Sequence, residues 1–361
     1  MAVAERGAQA AAKNRSFLIL GGSLASNRGM QKMAEPFIRI VGADHVRVYN
    51  SEISFDKPNP GRYAQQAKFS IDQLRQGRDQ VILTDNTGLQ SYGRMLKKER
   101  KIVNGFRPGD NAEKMTIIAS EPLLFNRGFR GARERAALVV NSIRRQTNPT
   151  VLGIDAVTAF PPVGITDQQI QEHLGEWQRT HPSVPVMDVP RQSDQRKRPE
   201  AIADALAAND RALVDAVERG NGKDVLKTIE QRGAVAKNEV KDIFAGKDTP
   251  SQRKEEKATR LQMVKSALPL VGRIFSGAAR KDIRRLANDG ARVVLVHFIN
   301  DHVSSLDASV RLQEKMARRG KEIEVVVLNR FGNAGSALDH KAYATAVQGL
   351  LETKVQPVHP K

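Results

Sequence analysis

Short apolar runs alternate with amphipathic helical segments in two separate parts of this chain, and this alternation limits the fold more than any other sequence feature. In the first part, strands are predicted over 16–20, 46–49, 80–84 and 115–119, and helices over 31–41, 63–75 and 88–100. In the second part, strands 292–297 and 322–328 alternate with helices 281–288, 308–319 and 341–351. Because right-handed crossovers wind such units into one sheet, we predict an α/β protein with a mostly parallel, doubly wound sheet.

The segment between these two parts is polar and mainly helical, with helices predicted over 201–219 and 223–231. An α/β core with a long helical insertion is the simplest organisation that fits. The four predicted regions are a flexible basic N-terminal tail (1–15), the first part of the α/β core (16–124), an Arg/Lys-rich helical cap insertion (125–280) and the second part of the core (281–361).

The chain is strongly basic: 58 Lys and Arg against 40 Asp and Glu give a formal net charge of +18. This charge favours an anionic partner, and acidic protein, nucleic acid and a lipid surface all fit. The absence of cysteine from the 361 residues excludes disulfides, cysteine nucleophiles and thiolate metal sites. No apolar run is long enough to span a bilayer, and the N-terminus lacks the apolar core of a secretory signal, so we expect a cytoplasmic protein.

Chemistry in an open parallel sheet lies at the carboxyl ends of its strands, and the first such end is Gly21-Gly22. The glycines allow a tight turn, and the backbone amides of the residues that follow could face an anion. The turn has neither the dinucleotide-binding glycine spacing nor a Walker lysine, so a nucleotide cofactor is not indicated. The alternative is an ordinary strand–helix turn.

The second strand end, 81–91, breaks sharply from a strand into a helix. A hydroxyl held on such an elbow projects above the sheet, and Thr87 or Ser91 could supply it. Threonine is a crowded nucleophile and needs a base to take its proton. The alternative is helix capping, because Asp85, Asn86 and Thr87 are all good N-cap residues.

The third strand end, 296–305, carries Asp301 between His297 and His302. A carboxylate just past a strand could orient a histidine. We expect His297, inside an apolar run, to be a packed core residue and His302 to be solvated. No further ligands are evident, so neither a metal site nor a cofactor is predicted.

The order of these features resembles the α/β-hydrolase superfamily over about 16–124 and 281–361. The shared layout is a first strand ending in Gly21-Gly22, an elbow after a central strand, a helical lid, an acid-bearing segment, a last strand and a closing helix. This resemblance implies the α/β-hydrolase fold and the hydrolysis of an ester or amide bond. It also implies that Asp301 is the acid.

The resemblance implies three catalytic positions, and this sequence differs from the family at two of them. Thr87 stands where the family has serine in Gly-x-Ser-x-Gly, and both outer glycines of that motif are replaced. Asn333 follows Gly332, where the family has its histidine, and an amide does not titrate in the useful range. The nearest downstream histidine is His340, near the start of the closing helix.

We therefore interpret the chain as a degenerate hydrolase, with enzymatic activity left uncertain, that binds an anionic ligand or partner through its pocket and its basic insertion. A small-molecule ligand is among the partners that fit. The residues expected at its oxyanion or ligand position are Gly22, Ser23, Leu24 and Gly88. Those expected on its basic surface are Arg127, Arg130, Arg133, Arg135, Arg144 and Arg145. One alternative is an active ester or amide hydrolase that uses Thr87, Asp301 and His340. The other is a basic protein that associates with nucleic acid.

Overall fold

The computed structural model of the chain covers most of both core regions and part of the insertion. The described residues are 14–22, 27–49, 61–85, 87–99, 108–126, 128–136, 179, 184–187, 203–244, 272–274, 276–300, 304–332 and 340–353.

One sheet of seven strands forms the centre of the described structure, and every pair of neighbouring strands is parallel. Its strands are β1 (Arg15–Leu20), β2 (Val46–Tyr49), β3 (Asp79–Asp85), β4 (Met115–Ser120), β5 (Val186–Met187), β6 (Arg292–Asn300) and β7 (Glu324–Gly332). Their order across the sheet is β2-β1-β3-β4-β6-β7-β5. The parallel α/β sheet predicted from the sequence is therefore confirmed.

Helices lie on both faces of the sheet, which makes it doubly wound. The helices are α1 (Asn27–Val41), α2 (Arg62–Arg75), α3 (Gly88–Glu99), α4 (128–136), α5 (Ala203–Glu218), α6 (Gly222–Phe244), α7 (Ala278–Asn288), α8 (Leu306–Ala317) and α9 (His340–Glu352). One apolar core lies between the sheet and α2, α3, α7 and α8, and a second lies between the sheet and α1 and α9.

The strands are apolar because both of their faces are covered. In β1, for example, Leu18 and Leu20 belong to the first core, whereas Phe17 and Ile19 belong to the second. Parallel strands buried on both faces have nearly continuous apolar runs instead of polar–apolar alternation. This is why the predicted strands agree with the observed ones to within a few residues.

The insertion contributes a helical hairpin, in which α5 packs against α6. Arg232 of α6 is 0% exposed, and its guanidinium contacts the Asp210 carboxylate at 2.5 Å and Asn209 Oδ1 at 3.0 Å. A buried charge is tolerated only when it is paired and hydrogen-bonded, and here the partners come from α5. The buried ion pair therefore fixes the packing of one helix on the other.

The insertion also contributes β5, a strand that the sequence analysis did not predict. Val186 and Met187 pair with Val327 and Leu328 of β7 at the edge of the sheet. Two residues are too short a run to show strand periodicity.

Within the described part of the chain, none of the helices has the length and apolar character needed to cross a membrane.

Candidate functional site

The elbow predicted from the sequence is present where β3 leads into α3. Thr87 is 1% exposed and stands directly before Gly88, the first residue of α3. Its carbonyl oxygen accepts hydrogen bonds from the backbone N–H groups of Gln90 (3.1 Å) and Ser91 (3.2 Å). Thr87 therefore occupies the N-cap position of the helix, at the carboxyl end of a central strand.

Gly88 brings the elbow against the end of β1. A Cβ atom at Gly88 would overlap the carbonyl oxygen of Leu20, so only glycine allows this close approach. The next residues, Gly21 and Gly22, are buried, and the Gly21 N–H donates to the Tyr49 carbonyl oxygen at 2.9 Å. The structure thus places Gly22 and Gly88 close to each other in the fold.

Two buried hydroxyls flank the apex of the elbow. Thr84 Oγ1, three residues before Thr87, and Ser91 Oγ, four residues after it, are both buried. Neither oxygen has a hydrogen-bond partner in the described part of the chain. Buried polar atoms in proteins are nearly always paired, so two unpartnered hydroxyls at one elbow are an unusual feature.

The remaining predicted catalytic positions follow from the ends of β6 and β7. β6 ends at Asn300 and β7 at Gly332, so Asp301 and Asn333 come next along the chain, and both lie outside the described residues. So do Ser23 and Leu24 of the predicted oxyanion position. α9 begins at His340, whose backbone is described and whose side chain is not.

Neighbouring parallel strands end at the same edge of the sheet, and β3, β4, β6 and β7 are neighbours. The elbow and the ends of β4, β6 and β7 therefore lie at one edge of the sheet. The hydrolase layout predicts a chain order of strands and a closing helix, and β1, β3, β6, β7 and α9 follow that order. The chain has an α/β-hydrolase fold.

Solved structures with this fold include hydrolases of several specificities. The chain is similar to the N-formylmaleamic acid deformylase of Pseudomonas putida (TM-score 0.35, 12% identity, covering 92% of this chain and 91% of that one). It is also similar to a carboxylesterase of Nitrososphaera gargenis (TM-score 0.37, 10% identity, 94% and 91%). A third likeness is to the monoacylglycerol lipase of Paleococcus ferrophilus (TM-score 0.34, 12% identity, 92% and 94%).

The sequence matches no family model and no curated protein.

Beside the elbow of this α/β-hydrolase fold lies a group of buried polar residues that the sequence analysis missed. A hydrogen bond of 2.7 Å joins the hydroxyls of Ser120, at the end of β4, and Tyr343 of α9. Burial raises the pKa of Tyr343 well above its ordinary value, and the nearby carboxylates of Asp85 and Glu121 raise it further against the effect of the Ser120 hydrogen bond. The closing helix is thus joined to the centre of the sheet beside two carboxylates.

Glu121, directly after β4, is 1% exposed and has a φ of 46°. It is the single non-glycine residue with positive φ among the described residues. Its backbone N–H donates to the Val296 carbonyl oxygen at 2.8 Å, which continues the ladder from β4 to β6. Strained residues are concentrated at functional sites. A carboxylate directly after a buried apolar strand was the signal in the sequence that could have identified it.

His297 is a packed core residue, as predicted. It is buried in β6, and its ring nitrogens form hydrogen bonds with Ser309 Oγ of α8 (2.8 Å) and Ser304 Oγ (3.0 Å). One nitrogen therefore bonds to α8, and the other bonds to the residue that precedes the N-cap of α8. No cluster of three or more His, Asp or Glu suited to a metal ion occurs in the ranges that the structure covers.

Of the six arginines predicted on the basic surface, three are described, and all three belong to α4. Arg130 is exposed and forms an ion pair with Asp307 at 3.0 Å. Arg133 is exposed, and the guanidinium of Arg135 lies 5.8 Å from the centre of the Phe125 ring. Arg127, Arg144 and Arg145 lie outside the described residues.

Proposed function

We propose that this α/β-hydrolase-fold protein has lost the standard hydrolytic chemistry and acts by binding, with a ligand pocket at the elbow and an anionic partner on the basic insertion. The altered apex is the first support, because Thr87 and Asn333 replace a serine and a histidine that act as a unit. The location that goes with this role is the cytoplasm, which stays a prediction.

The observation that carries the binding role is the pair of unpartnered hydroxyls, Thr84 Oγ1 and Ser91 Oγ. A buried hydroxyl without a hydrogen bond costs about 1–3 kcal/mol. A ligand carbonyl at the elbow would accept a hydrogen bond from such a hydroxyl and remove this cost. The elbow thus keeps the polar groups that a bound ester or amide needs, although its nucleophile is changed.

The charges of the site decide which group binds where. Asp85 and Glu121 lie at the strand ends, and both carboxylates act on the Tyr343 hydroxyl. Carboxylates repel an anion. We therefore assign a neutral carbonyl compound to the elbow and the anionic partner to the arginines of the insertion.

The test is hydrolysis of a panel of activated short-chain acyl esters by the purified protein and by Thr87→Ala, Asp301→Ala and His340→Ala. We expect no turnover above background for any of the four folded proteins. The same esters should raise the melting temperature of the wild type and have a smaller effect on Thr84→Val and Ser91→Ala. Turnover by the wild type that is absent from Thr87→Ala, Asp301→Ala and His340→Ala would contradict the proposal.

One observation favours the second candidate, an active hydrolase that uses Thr87, Asp301 and His340. α9 begins at His340, and one turn later Tyr343 is hydrogen-bonded to Ser120 at the end of β4. The start of α9 therefore lies at the same edge of the sheet as the elbow. This candidate would be established over the first by turnover with a bell-shaped pH profile, if one of the two limbs disappears in His340→Ala.

A further inference from the structure

Phe129 is the most exposed large apolar residue in the described part of the chain, with 88% of its surface accessible. It belongs to α4, the first helix of the basic insertion. Single exposed apolar side chains are common on protein surfaces, so Phe129 becomes informative only together with the residues around it. The contacts of α4 show whether the helix could turn to bury this side chain.

The opposite face of α4 is fixed to the protein at three points. Gly131 is buried, and a Cβ atom there would overlap the carbonyl oxygen of Asn126. Glu134 accepts hydrogen bonds from the backbone N–H and from Nδ2 of Asn126, each at 2.7 Å. Arg135 lies over the ring of Phe125. Rotation of α4 to bury Phe129 would break all three contacts.

A link to α8 strengthens this attachment. Asn126 Nδ2 also donates to Asp307 Oδ2 at 2.9 Å, and Arg130 pairs with the same carboxylate. Asp307 lies in the first turn of α8, which packs on the sheet. These contacts hold α4 in the orientation that directs Phe129 outward.

The exposed face of α4 combines apolar surface with positive charge. Phe129, Ala132, Arg133 and Ala136 are all exposed and share one side of the helix. No hydrogen bond or ion pair within the described residues engages Arg133, whereas Glu134 is turned inward. The contacts that surround this face involve four arginines and two carboxylates; these are Arg130, Arg135, Arg280 and Arg311 with Glu134 and Asp307.

We propose that this face of α4, defined by Phe129, Ala132, Arg133 and Ala136, docks on an anionic lipid surface, with Phe129 inserted among the acyl chains and Arg133 at the headgroups. An interfacial helix has this arrangement of an apolar side chain beside basic residues. Single-stranded nucleic acid would need a series of aromatic side chains for stacking. The described exposed large apolar residues include one aromatic, Phe129 itself. The lipid surface is therefore the partner that fits.

This inference names the anionic partner of the proposed binding role, and the two can fail separately. Ester hydrolysis would overturn the degenerate-hydrolase proposal without changing how the protein binds to vesicles. The experiment is co-sedimentation of the full chain with phosphatidylcholine vesicles that contain or lack phosphatidylserine, at low and high salt. We expect binding only to the vesicles that contain phosphatidylserine, and release by salt.

The variants Phe129→Ala and Arg133→Ala test the face itself. Arg133→Ala should weaken binding about fivefold, as expected for one basic residue at an anionic membrane, and Phe129→Ala by at least as much. Ile38→Ala and Arg39→Ala are the matched controls. They remove an exposed apolar and an exposed basic residue of α1, which packs on the other face of the sheet. These two should bind like the wild type.

Three results would overturn the proposal. The first is that Phe129→Ala binds the vesicles like the wild type, and the second is that the α1 controls lose as much binding as the α4 variants. The third is that the protein ignores the vesicles and instead binds a single-stranded oligonucleotide in a Phe129-dependent way. Equal melting temperatures of all variants exclude unfolding as a cause of lost binding.

Discussion

At Glu121 the backbone takes a left-handed conformation that glycine adopts without strain and glutamate does not. The residue is held there because its N–H continues the β4–β6 ladder. For a residue with a Cβ atom the cost is about 1–2 kcal/mol. Glu121 is thus a strained and buried carboxylate at the end of β4.

Comparison of Glu121→Gly with Glu121→Ala isolates this strain. Both variants remove the carboxylate, and only the alanine variant keeps a Cβ atom at positive φ. We expect Glu121→Gly to be more stable than Glu121→Ala by roughly 1 kcal/mol. Urea unfolding measures the difference, and an alanine variant at least as stable as the glycine variant would show that the backbone carries no strain.

The close approach of α3 to β1 gives a second prediction, at Gly88. A methyl group at this position would overlap the Leu20 carbonyl oxygen, so Gly88→Ala should lower the free energy of unfolding by about 1–3 kcal/mol. Gly222→Ala is the control, because Gly222 also opens a helix and has open space around its α-carbon. Equal stabilities of the two variants in urea would contradict the close approach.

At the site, the sequence allowed some residues to be predicted and not others. Thr87 and Gly88 were predictable because a strand followed by Asp-Asn-Thr-Gly indicates an elbow. The Ser120–Tyr343 hydrogen bond was not predictable, since it joins residues 223 positions apart and depends on how α9 packs. The inward direction of Glu134 also depends on tertiary contacts, in this case with Asn126.

Among the elements, the α5–α6 hairpin depends on a buried ion pair. Asp210→Ala would leave the guanidinium of Arg232 buried without its carboxylate, and we expect a loss of about 3–5 kcal/mol. Asp224→Ala removes the exposed partner of Arg219 in the same hairpin, 3.8 Å away, and should cost less than about 1 kcal/mol. Thermal unfolding followed by circular dichroism compares the two, and a similar cost for both would argue against the buried pair.

The attachment of α9 to the sheet predicts a dependence on alkaline pH. The folded-state pKa of Tyr343 is raised, so the unfolded chain releases this proton first. The stability from Tyr343 is complete below about pH 10, the ordinary tyrosine pKa, and is lost as pH rises further. Tyr343→Phe should therefore be less stable than the wild type at neutral pH, because it loses the Ser120 hydrogen bond, and should lose less stability above pH 10. Urea unfolding from neutral pH to above about pH 10 measures both stabilities. Equal losses of stability in the wild type and in Tyr343→Phe would contradict the prediction.

Most elements could be predicted because each strand is a continuous apolar run and each core helix has one apolar face. α6 extends beyond the predicted 223–231 to Phe244, since it continues through polar residues whose periodicity is weak. β5 could not be predicted, because its two residues form a strand only by pairing with β7. The length of an element and the difference in polarity between its two faces thus determined whether it could be predicted from the sequence.

For the whole molecule, the net charge of +18 predicts a stabilising effect of salt. Like charges repel one another more in the compact state than in the unfolded chain, and added ions screen that repulsion. We expect the melting temperature to rise from low to moderate NaCl concentration, by about 1–2 °C for each kcal/mol of stabilisation in a chain of 361 residues. A melting temperature that falls or stays constant would show that the ion pairs, which salt weakens, outweigh the repulsion.

The short strand β5 affects how the chain can be divided. The Val327 N–H also donates to the Pro185 carbonyl oxygen at 3.0 Å, so the segment 184–187 is hydrogen-bonded to the outer edge of β7. The insertion is thus not a separate appendage, because it supplies the last strand of the sheet. Excision of residues 125–280 would expose the N–H and C=O groups of β7. Unpaired groups at a sheet edge can form hydrogen bonds with a strand of another chain. A shortened version of this protein would need another strand or a protected edge in place of β5.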